Sequence, residues 1–525
     1  MFTIPPSLPD DAAQLQQMLR AAQAEIERLR LIISSLQRHR FGRRSEKLDE
    51  AAVQQGFEDL EQSVAEQSAA LEEAVSRLTP PKTGTTPGTL RKEPAERNRG
   101  ALPAGLPRVE QVIDIADKTC PCCGGPLHLI GENKTEMLDY VLEHVRVRVT
   151  RRPRYGCRSC AQAIVQAPAP ERLIAGGMAS EALVAHVLVN KYCDHQPLHR
   201  QEQIFARQGI KLDRSTLCNW VGRACWWLAP LHELLLSTVL SSPKLFADDT
   251  TLPVLDPGRG RTKTGRLWCY AVDNRPWNGP GHPVVVYVYS EDRKGVHPAS
   301  HLQGYSGVIQ VDGYQGFGAL LKGENGHNRE LAYCFAHARR KFYDLYVSDK
   351  SPIAEEALRQ IAALYQIEAE IRGTSAEYRR SVRQQRIRPL VEAMHIWLSH
   401  QLKRISGGSD LAKAIRYCLH HWTGLTRFLD DGRLELDNNT VERAIKPVVL
   451  TRKNALFAGS DSGGRHWSIA ASLIQTARLN DVDPLAWLTD VLERIVSGQT
   501  KQNQLASLLP WNWKAAKAAE AANTS

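Results

Sequence analysis

The sequence has 525 residues, of which 42% are hydrophobic and 24% charged, and this ordinary globular composition excludes global disorder and a fibrous repeat. At roughly 100–200 residues per domain, the length predicts three or more domains. A formal net charge of +10 favours a polyanionic partner such as nucleic acid. The longest apolar run, Pro283–Tyr289, is too short to cross a membrane, and residues 1–11 lack the pattern of a signal peptide. We therefore expect a cytoplasmic protein without a membrane segment.

The N-terminal part predicts an oligomerisation arm. Apolar residues within 11–36 recur at steps of three and four, the a/d spacing of a coiled coil, so we expect a homo-oligomer. The alternative is a helix that packs within its own chain. A short basic segment follows at residues 38–47 (the basic knot), and its Arg43 and Arg44 are candidate DNA contacts. We place the coiled coil and knot at 11–48, and an acidic helix with a flexible linker at 49–108.

Residues 109–165 predict a zinc ribbon. Two Cys-x-x-Cys pairs lie on either side of a stretch that alternates apolar and polar residues as a hairpin would, and four thiolates suit tetrahedral Zn²⁺. Cys122 lies beside the first pair without the required spacing, so it is not a ligand. The alternative, a redox pair, would have to occur twice. The predicted ligands are Cys120, Cys123, Cys157 and Cys160.

Residues 166–235 predict a helical domain of helix-turn-helix type. Helices are expected from Ala179 to Asn190 and from Leu198 to Gln208, then a glycine turn and a third helix with Asp213 as its N-cap. Helical hairpins with a glycine turn are common, so DNA binding and a purely structural role are both open. The residues that would face a DNA groove are Arg214, Ser215, Thr216 and Asn219.

The segment from 240 to 480 carries the strongest functional pattern. Strands are expected at Lys244–Val254, Arg266–Val272, Val284–Tyr289, Gly307–Asp312 and Leu331–Cys334, with a helix at Ala336–Tyr346. This order, with Asp248 inside the first strand and Asp312 at the end of the fourth, is the layout of an RNase H-like core. Such a core needs a third acid on a later helix, and the candidate is Glu442, on a helix capped by Asn438 or Asn439.

Three carboxylates from separate elements can hold two Mg²⁺ or Mn²⁺ ions about 3.5–4 Å apart for phosphoryl transfer. A single strand-end acid is usually a solvated turn residue, so it is the order of all three that favours catalysis. Arg443 and Lys446 would lie beside the scissile phosphate. A helical insertion is expected at about 350–430, where a basic stripe is either a DNA contact or a solvated helix face; its members are Arg379, Arg380, Arg383, Arg386 and Arg388. Residues 481–525 form a C-terminal tail region.

With these motifs in this order, the chain resembles the large transposase subunit of insertion sequence 66 elements, within the DDE class. The matching motifs are Phe41-Gly-Arg-Arg-Ser-Glu46, Cys120-Pro-x-Cys123, Pro197-Leu-x-Arg200, Ala247-Asp-Asp-Thr250, Val311-Asp-Gly-Tyr314, Cys334-x-x-His337-x-Arg-Arg340, Asp437-Asn-Asn-x-x-Glu442-Arg443, Arg452-Lys-Asn454 and Leu508-Leu-Pro-Trp-Asn-Trp513.

The resemblance implies that Asp248, Asp312 and Glu442 are the catalytic acids. The family usually has Asp-Glu-Thr where this chain has Asp248-Asp249-Thr250, so Asp249 is the alternative first ligand. The resemblance also implies accessory proteins encoded by the same element, and a chain associated with the nucleoid.

The predicted architecture is therefore a multidomain α+β chain with a coiled coil, a zinc ribbon, a helix-turn-helix and an RNase H-like catalytic core with a helical insertion. The expected activity is Mg²⁺-dependent cleavage and strand transfer at element ends. The alternatives are an RNase H-like nuclease or resolvase, and a non-catalytic DNA-binding regulator that uses only the N-terminal modules. Asp312 and Glu442 argue against the regulator, which would not need them.

Overall fold

The computed structural model describes residues 102, 105–141, 144–159, 164–256, 261–322 and 328–524. The predicted coiled coil, Arg43, Arg44 and Cys160 lie outside these ranges. None of the described helices is both long enough and apolar enough to span a membrane.

A long antiparallel hairpin opens the described chain. Its two arms are β2 (Leu127–Val141) and β3 (His144–Cys157), which pair along nearly their whole length and confirm the predicted hairpin. β1 (Arg108–Val112) runs parallel to β3 on its free side, and β4 (Ile164–Gln166) pairs with the end of β3. The alternating burial of β3 turns Val145, Val147 and Val149 toward the protein core.

Three helices follow at the predicted places. They are α1 (Glu181–Tyr192), α2 (Leu198–Arg207) and α3 (Arg214–Leu240). Gly209, in the turn between α2 and α3, has a φ of +77°, a conformation that glycine adopts without strain. α3 is 27 residues long and buries apolar side chains along most of its length, so it is a central packing helix rather than a free recognition helix.

A five-stranded sheet forms the centre of the molecule. Its strands are β5 (Lys244–Asp256), β6 (Arg261–Val272), β7 (Val284–Ser290), β8 (Gly307–Val311) and β9 (Arg329–Tyr333), which confirms the five predicted strands to within a few residues. The strand order is β7-β6-β5-β8-β9. β6 pairs antiparallel with both β5 and β7, whereas β8 runs parallel to β5, and β9 parallel to β8. Short helix α4 (Val296–His301) makes the crossover from β7 to β8.

The stretch after β9 is helical, as predicted. It contains α5 (Phe335–Asp349), α6 (Pro352–Ile371), α7 (Ala376–Val382), α8 (Arg388–Arg404), α9 (Asp410–His420) and α10 (Trp422–Thr426), with a π-helical turn between α7 and α8. These helices bury a second hydrophobic cluster, which also contains Val308 of β8 and Ala332 of β9.

The chain returns to the sheet through α11 (Asn439–Ala455), α12 (Asp461–Leu479), α13 (Pro484–Val496) and α14 (Pro510–Thr524). α12 is buried against edge strand β7, where the Ser472 hydroxyl accepts from the Tyr287 amide at 2.8 Å. The Thr476 hydroxyl accepts from the Val285 amide at 3.1 Å. Helix hydroxyls thus pair edge groups that would otherwise be exposed to a second chain.

One continuous core unites the hairpin, α1, α3, the sheet and α11 to α13. The helical segment expected at 166–235 therefore shares its packing with the sheet. The cysteine end of the hairpin differs, because its small cluster holds only Cys120, Leu127, Tyr155 and Cys157 as buried members.

Candidate active site

Two acidic side chains lie side by side on neighbouring strands of the central sheet. β5 and β8 run parallel, and the last pair in their register is Phe246 with Gln310. Asp248 and Asp312 each lie two residues beyond that pair, and side chains two residues apart point to the same face of a strand. The register therefore brings both carboxylates to one face of the sheet.

Asp248 is held in an environment that disfavours its charge. Burial, and then the negative charge of Asp312, raise the pKa of Asp248 to about 7, and Asp249 and Glu442 add to the effect. The Asp249 main-chain amide donates to the Asp248 carboxylate at 2.7 Å and opposes the shift. Three neighbouring acids act on this one carboxylate, so the site concentrates negative charge.

Asp249 lies in the opposite environment. Its carboxylate is fully buried and contacts Arg266 at 2.8 Å and Arg293 at 2.8 Å. The Arg293 guanidinium also stacks over the ring of Tyr314, 3.8 Å from its centroid. Two arginines already satisfy Asp249, whereas the charge of Asp248 has no such compensation from these arginines.

Glu442 lies in the first turn of α11, and 41% of its side chain is exposed. Asn438 occupies the N-cap position, as predicted, but its side chain does not cap the helix. Instead, its amide donates to the carbonyl of Ala247 at 3.2 Å, directly before Asp248. The prediction that Asn438 or Asn439 caps the helix is confirmed in position for Asn438, although its side chain binds a strand carbonyl and not a helix amide. Asn439 donates to Asp437 at 2.6 Å.

The loop before α11 is fixed to the sheet by paired hydrogen bonds. The Gln310 side chain donates to the Glu435 carbonyl at 2.9 Å and accepts from the Glu435 amide at 3.0 Å. The Phe335 amide donates to the Leu436 carbonyl at 3.0 Å. These contacts set the start of the Glu442 helix relative to both aspartates.

An open cleft of about 360 Å³ lies beside Asp312. The Tyr417 hydroxyl, from α9, donates to the Asp312 carbonyl at 2.9 Å. Gly313 has a φ of +95°, and a Cβ there would lie 2.5 Å from that hydroxyl, so only glycine fits beneath Tyr417. The helical insertion thus contacts the main chain of a candidate catalytic residue. The other charged and aromatic lining residues are Arg293, Tyr314, His337, Arg340, Lys341 and Asp344.

The predicted zinc ligands come together as far as the structure describes them. The sulfur atoms of Cys120, Cys123 and Cys157 lie within 4.8 Å of one another. Gly124, with a φ of +71°, allows the tight turn after the first pair. Cys122 is not part of this group, as predicted. A soft three-sulfur set with a fourth cysteine three residues beyond Cys157 in the sequence fits tetrahedral Zn²⁺.

The residues predicted to face DNA from α3 have mixed surroundings. Arg214 is paired with Glu202 at 2.8 Å. Ser215 is exposed and Thr216 half-buried, while the side-chain carbonyl oxygen of Asn219 is buried without a hydrogen-bond partner in the described chain. Arg443 and Lys446 are both exposed on the Glu442 helix.

The predicted basic stripe is wrong as a surface feature. Arg379 and Arg383 have 1% and 0% of their side chains exposed, and both contact Glu368. Arg386 pairs with Glu370 at 2.5 Å, and Arg388 pairs with Asp430 at 2.6 Å. The reason is that acids from α6 and from the loop after α10 fold onto this segment. Of the five, only Arg380 is an exposed residue for which the structure gives no acidic partner.

Several residues of the site escaped sequence reasoning. Cys334 and His337 lie near Glu442, Tyr417 binds the Asp312 carbonyl, and Arg266 and Arg293 neutralise Asp249. The Cys334-x-x-His337 spacing at the start of a helix was the one available signal. The partner residues come from distant segments and leave no local pattern.

Known protein families match most of the chain. A family described as "Transposase IS66 family" matches residues 176–466, and "IS66 C-terminal element" matches 472–511. "Zinc-finger binding domain of transposase IS66" matches 117–161, and "Transposase C of IS166 homeodomain" matches 28–110.

Curated relatives align over nearly the full chain. Uncharacterized protein y4jD of Sinorhizobium fredii (strain NBRC 101917 / NGR234) is 46% identical over 518 residues, which cover 98% of this chain and 99% of the relative. Uncharacterized protein y4qI of the same strain is 40% identical over 96% of this chain and 92% of the relative.

Proposed function

The chain belongs to the IS66 transposase family, and from this premise we propose that it cuts DNA at the ends of its insertion element and joins them to target DNA by divalent-metal-dependent phosphoryl transfer. The family makes it a DNA-processing enzyme with a zinc-finger domain. The DDE mechanism, the metal and the residue roles belong to the proposal.

The sheet supports an RNase H-like core. An antiparallel β5-β6-β7 meander followed by parallel β8 and β9, in the order β7-β6-β5-β8-β9, is the arrangement that such a core requires. Asp248 lies within the first strand of this sheet and Asp312 directly after the adjacent fourth. The helix that carries Glu442 then packs against β5 and β6.

The observation that carries the proposal is the mutual influence of three carboxylates from three elements. Asp312 and Glu442 both act on the charge of Asp248. An all-oxygen donor set with excess negative charge fits Mg²⁺ or Mn²⁺. Such ions, when bound, activate the attacking hydroxyl group and stabilise the leaving oxygen. Asp249, paired with two arginines, is the less suitable first ligand.

Other residues of the chain would orient the substrate. Arg340 and Lys341 line the cleft beside Asp312, and Arg443 and Lys446 are exposed on the Glu442 helix. Cations around the acids would bind the phosphates that flank the scissile bond and hold the DNA in register. Asn438 and Tyr417 would act as positioning residues, because each bonds the main chain at or beside a candidate acid.

End recognition would involve the exposed start of α3 and the segment before the linker. Ser215 and Thr216 remain candidates there, whereas the paired Arg214 and the partly buried Asn219 would first have to reorient. Arg43 and Arg44 fall within the matched homeodomain segment. A homo-oligomer and accessory proteins from the same element complete the proposal.

The test is an in vitro assay with element-end DNA, a target duplex and Mg²⁺. Asp248→Asn, Asp312→Asn and Glu442→Gln should each reduce cleavage and joining at least about 10³-fold, while end binding changes less than about threefold. Asp344→Asn is the matched control, because this exposed acid lines the same cleft but lies on α5, and it should retain activity.

The products separate the alternatives. Insertion of cut ends into the second duplex supports a transposase, whereas cleavage without joining supports a nuclease or resolvase. Binding without either reaction under all metal conditions supports a regulator. Full activity of Asp248→Asn with an inactive Asp249→Asn would shift the first ligand by one residue.

A further inference from the structure

A second group of metal-ligating side chains lies beside the carboxylates. Cys334 follows β9 and is the N-cap residue of α5, and His337 lies one turn later. Glu442 faces them from the first turn of α11. The sulfur, one imidazole nitrogen and one carboxylate oxygen all lie within 4.8 Å of one another. This cluster is separate from the cysteines of the hairpin.

One of these donor atoms has nothing to bind. His337 Nδ1 is buried and has no hydrogen-bond partner within the described residues, and it points toward Glu442, 3.8 Å from Oε1. A buried polar atom without a hydrogen-bond partner is destabilising, so its retention here calls for a ligand. A metal ion between the imidazole and the carboxylate would satisfy both groups.

The sulfur is prepared for the same ligand. The main-chain amide of Asn438 donates to Cys334 Sγ at 3.2 Å, and the amide of His337 donates to it as well. Amide donors and the positive end of a helix stabilise a metal-bound thiolate.

We propose that Cys334, His337 and Glu442 form a Zn²⁺ site, with the fourth position open to water. Sulfur and imidazole donors select zinc over magnesium. Since Glu442 is also the third proposed carboxylate of the catalytic centre, zinc bound here withdraws it and inhibits phosphoryl transfer. The binding stands on the cluster alone, whereas the inhibition rests on the proposed function.

The test for binding uses full-length protein that retains its hairpin zinc. Titration with Co²⁺ should add one equivalent with a thiolate-to-cobalt absorption band, and Zn²⁺ should displace it. Cys334→Ser should remove the band, and His337→Ala should weaken binding by at least about tenfold. Cys418→Ser is the matched control, since this buried cysteine of α9 lies outside the cluster. Thermal unfolding of each variant shows that it is folded.

Unchanged binding in both Cys334→Ser and His337→Ala, or no added equivalent in the natural protein, would overturn the site. The second readout is the ratio of joining with and without added Zn²⁺ at fixed Mg²⁺, compared within each variant. Zinc should lower this ratio in the natural protein and not in Cys334→Ser. If zinc binds but does not inhibit an active enzyme, the proposed inhibition is overturned. If zinc binds to a chain that never joins DNA, the proposed function is overturned and the zinc site still stands.

Discussion

At the scale of single residues, the adjacent aspartates Asp248 and Asp249 of β5 lie in opposite electrostatic environments. The carboxylate of Asp249 is neutralised by Arg266 and Arg293, whereas that of Asp248 faces Asp312 and Glu442. Alternation along β5 causes the difference, because successive side chains point to opposite faces of the sheet. One face offers arginines and the other offers further acids.

This contrast predicts opposite effects of two neutralising substitutions. The raised pKa of Asp248 means that the folded chain holds a proton there between about pH 4 and about pH 7 that the unfolded chain has lost. Stability therefore falls as pH rises through this window, and the penalty is complete above it. Asp248→Asn should raise the free energy of unfolding at pH 8 by on the order of 2–4 kcal/mol, and by less at pH 5.

Asp249→Asn is the matched control. It should lower the free energy of unfolding at both pH values, by roughly 2–3 kcal/mol, because the substitution leaves two arginines unpaired. The measurement is thermal or urea unfolding in buffer without Mg²⁺ and without a chelator that would strip zinc. If Asp248→Asn were no more stable than the natural protein at pH 8, the carboxylates would not repel one another as described.

Asn438 shows which features of a single residue can be predicted from the sequence and which cannot. Its position as the N-cap residue of the Glu442 helix follows from local pattern, and the structure confirms it. Its acceptor, the carbonyl of Ala247, lies 191 residues away in sequence. Residue type and position are local information, whereas the choice between a helix amide and a strand carbonyl depends on tertiary packing.

At the scale of elements, the two ends of the β2–β3 hairpin are stabilised differently. Leu138, Val145 and Val147 belong to the main core of the molecule. The cysteine end buries only a few residues, too little apolar area to hold a fold without a cross-link or a metal. Bound zinc would therefore supply the folding free energy of that end.

Cys157→Ser should lose the hairpin zinc and unfold the cysteine end while the rest of the molecule stays folded. Zinc content after extensive dialysis should fall by about one equivalent, and limited proteolysis should cut near the ends of β2 and β3 that carry the cysteines. Cys122→Ser, which changes an exposed cysteine outside the sulfur group, should retain both zinc and protease resistance. Zinc retained by Cys157→Ser would exclude the proposed ligand set.

The elements themselves were largely predictable. Period-two alternation locates β5, a continuous apolar run locates β7, and helical periodicity locates the insertion. The basic stripe fails because periodicity reveals which charges share a helix face but not what packs on it. Glu368 lies 15 residues before Arg383 on another helix, and the pair is buried between them. A buried ion pair and a DNA-binding surface look alike in sequence.

At the scale of the whole molecule, the central sheet and the helices before it form one packing unit. α1 and α3 contribute buried residues such as Leu183, Leu188 and Leu228 to the core that contains Phe246 and Trp268. In sequence, α1 to α3 look like an independent helix-turn-helix domain, because the pattern of a small helical domain does not show that its apolar faces cover a distant sheet. The core residues that the structure describes all lie after residue 101.

This organisation predicts different outcomes for two truncations. Removal of residues 1–101 should leave the thermal unfolding midpoint within about 3 °C of the full chain, because the described core residues all lie after residue 101 and pack against one another. Removal of residues 1–230 should abolish cooperative unfolding, because it deletes α1 and most of α3 and uncovers the sheet. Light scattering should report a monomer for the shorter deletion, since the predicted coiled coil is lost.

The full-length variant Leu29→Asp with Ile33→Asp is the matched control, because it charges the predicted seam without shortening the chain. It should give the same monomeric mass, and its end binding should weaken through lost pairing of the two arms while the dependence on salt remains. If the shorter deletion stayed oligomeric, the contacts between chains would lie in the sheet-bearing body, and the first hundred residues would serve only to bind DNA.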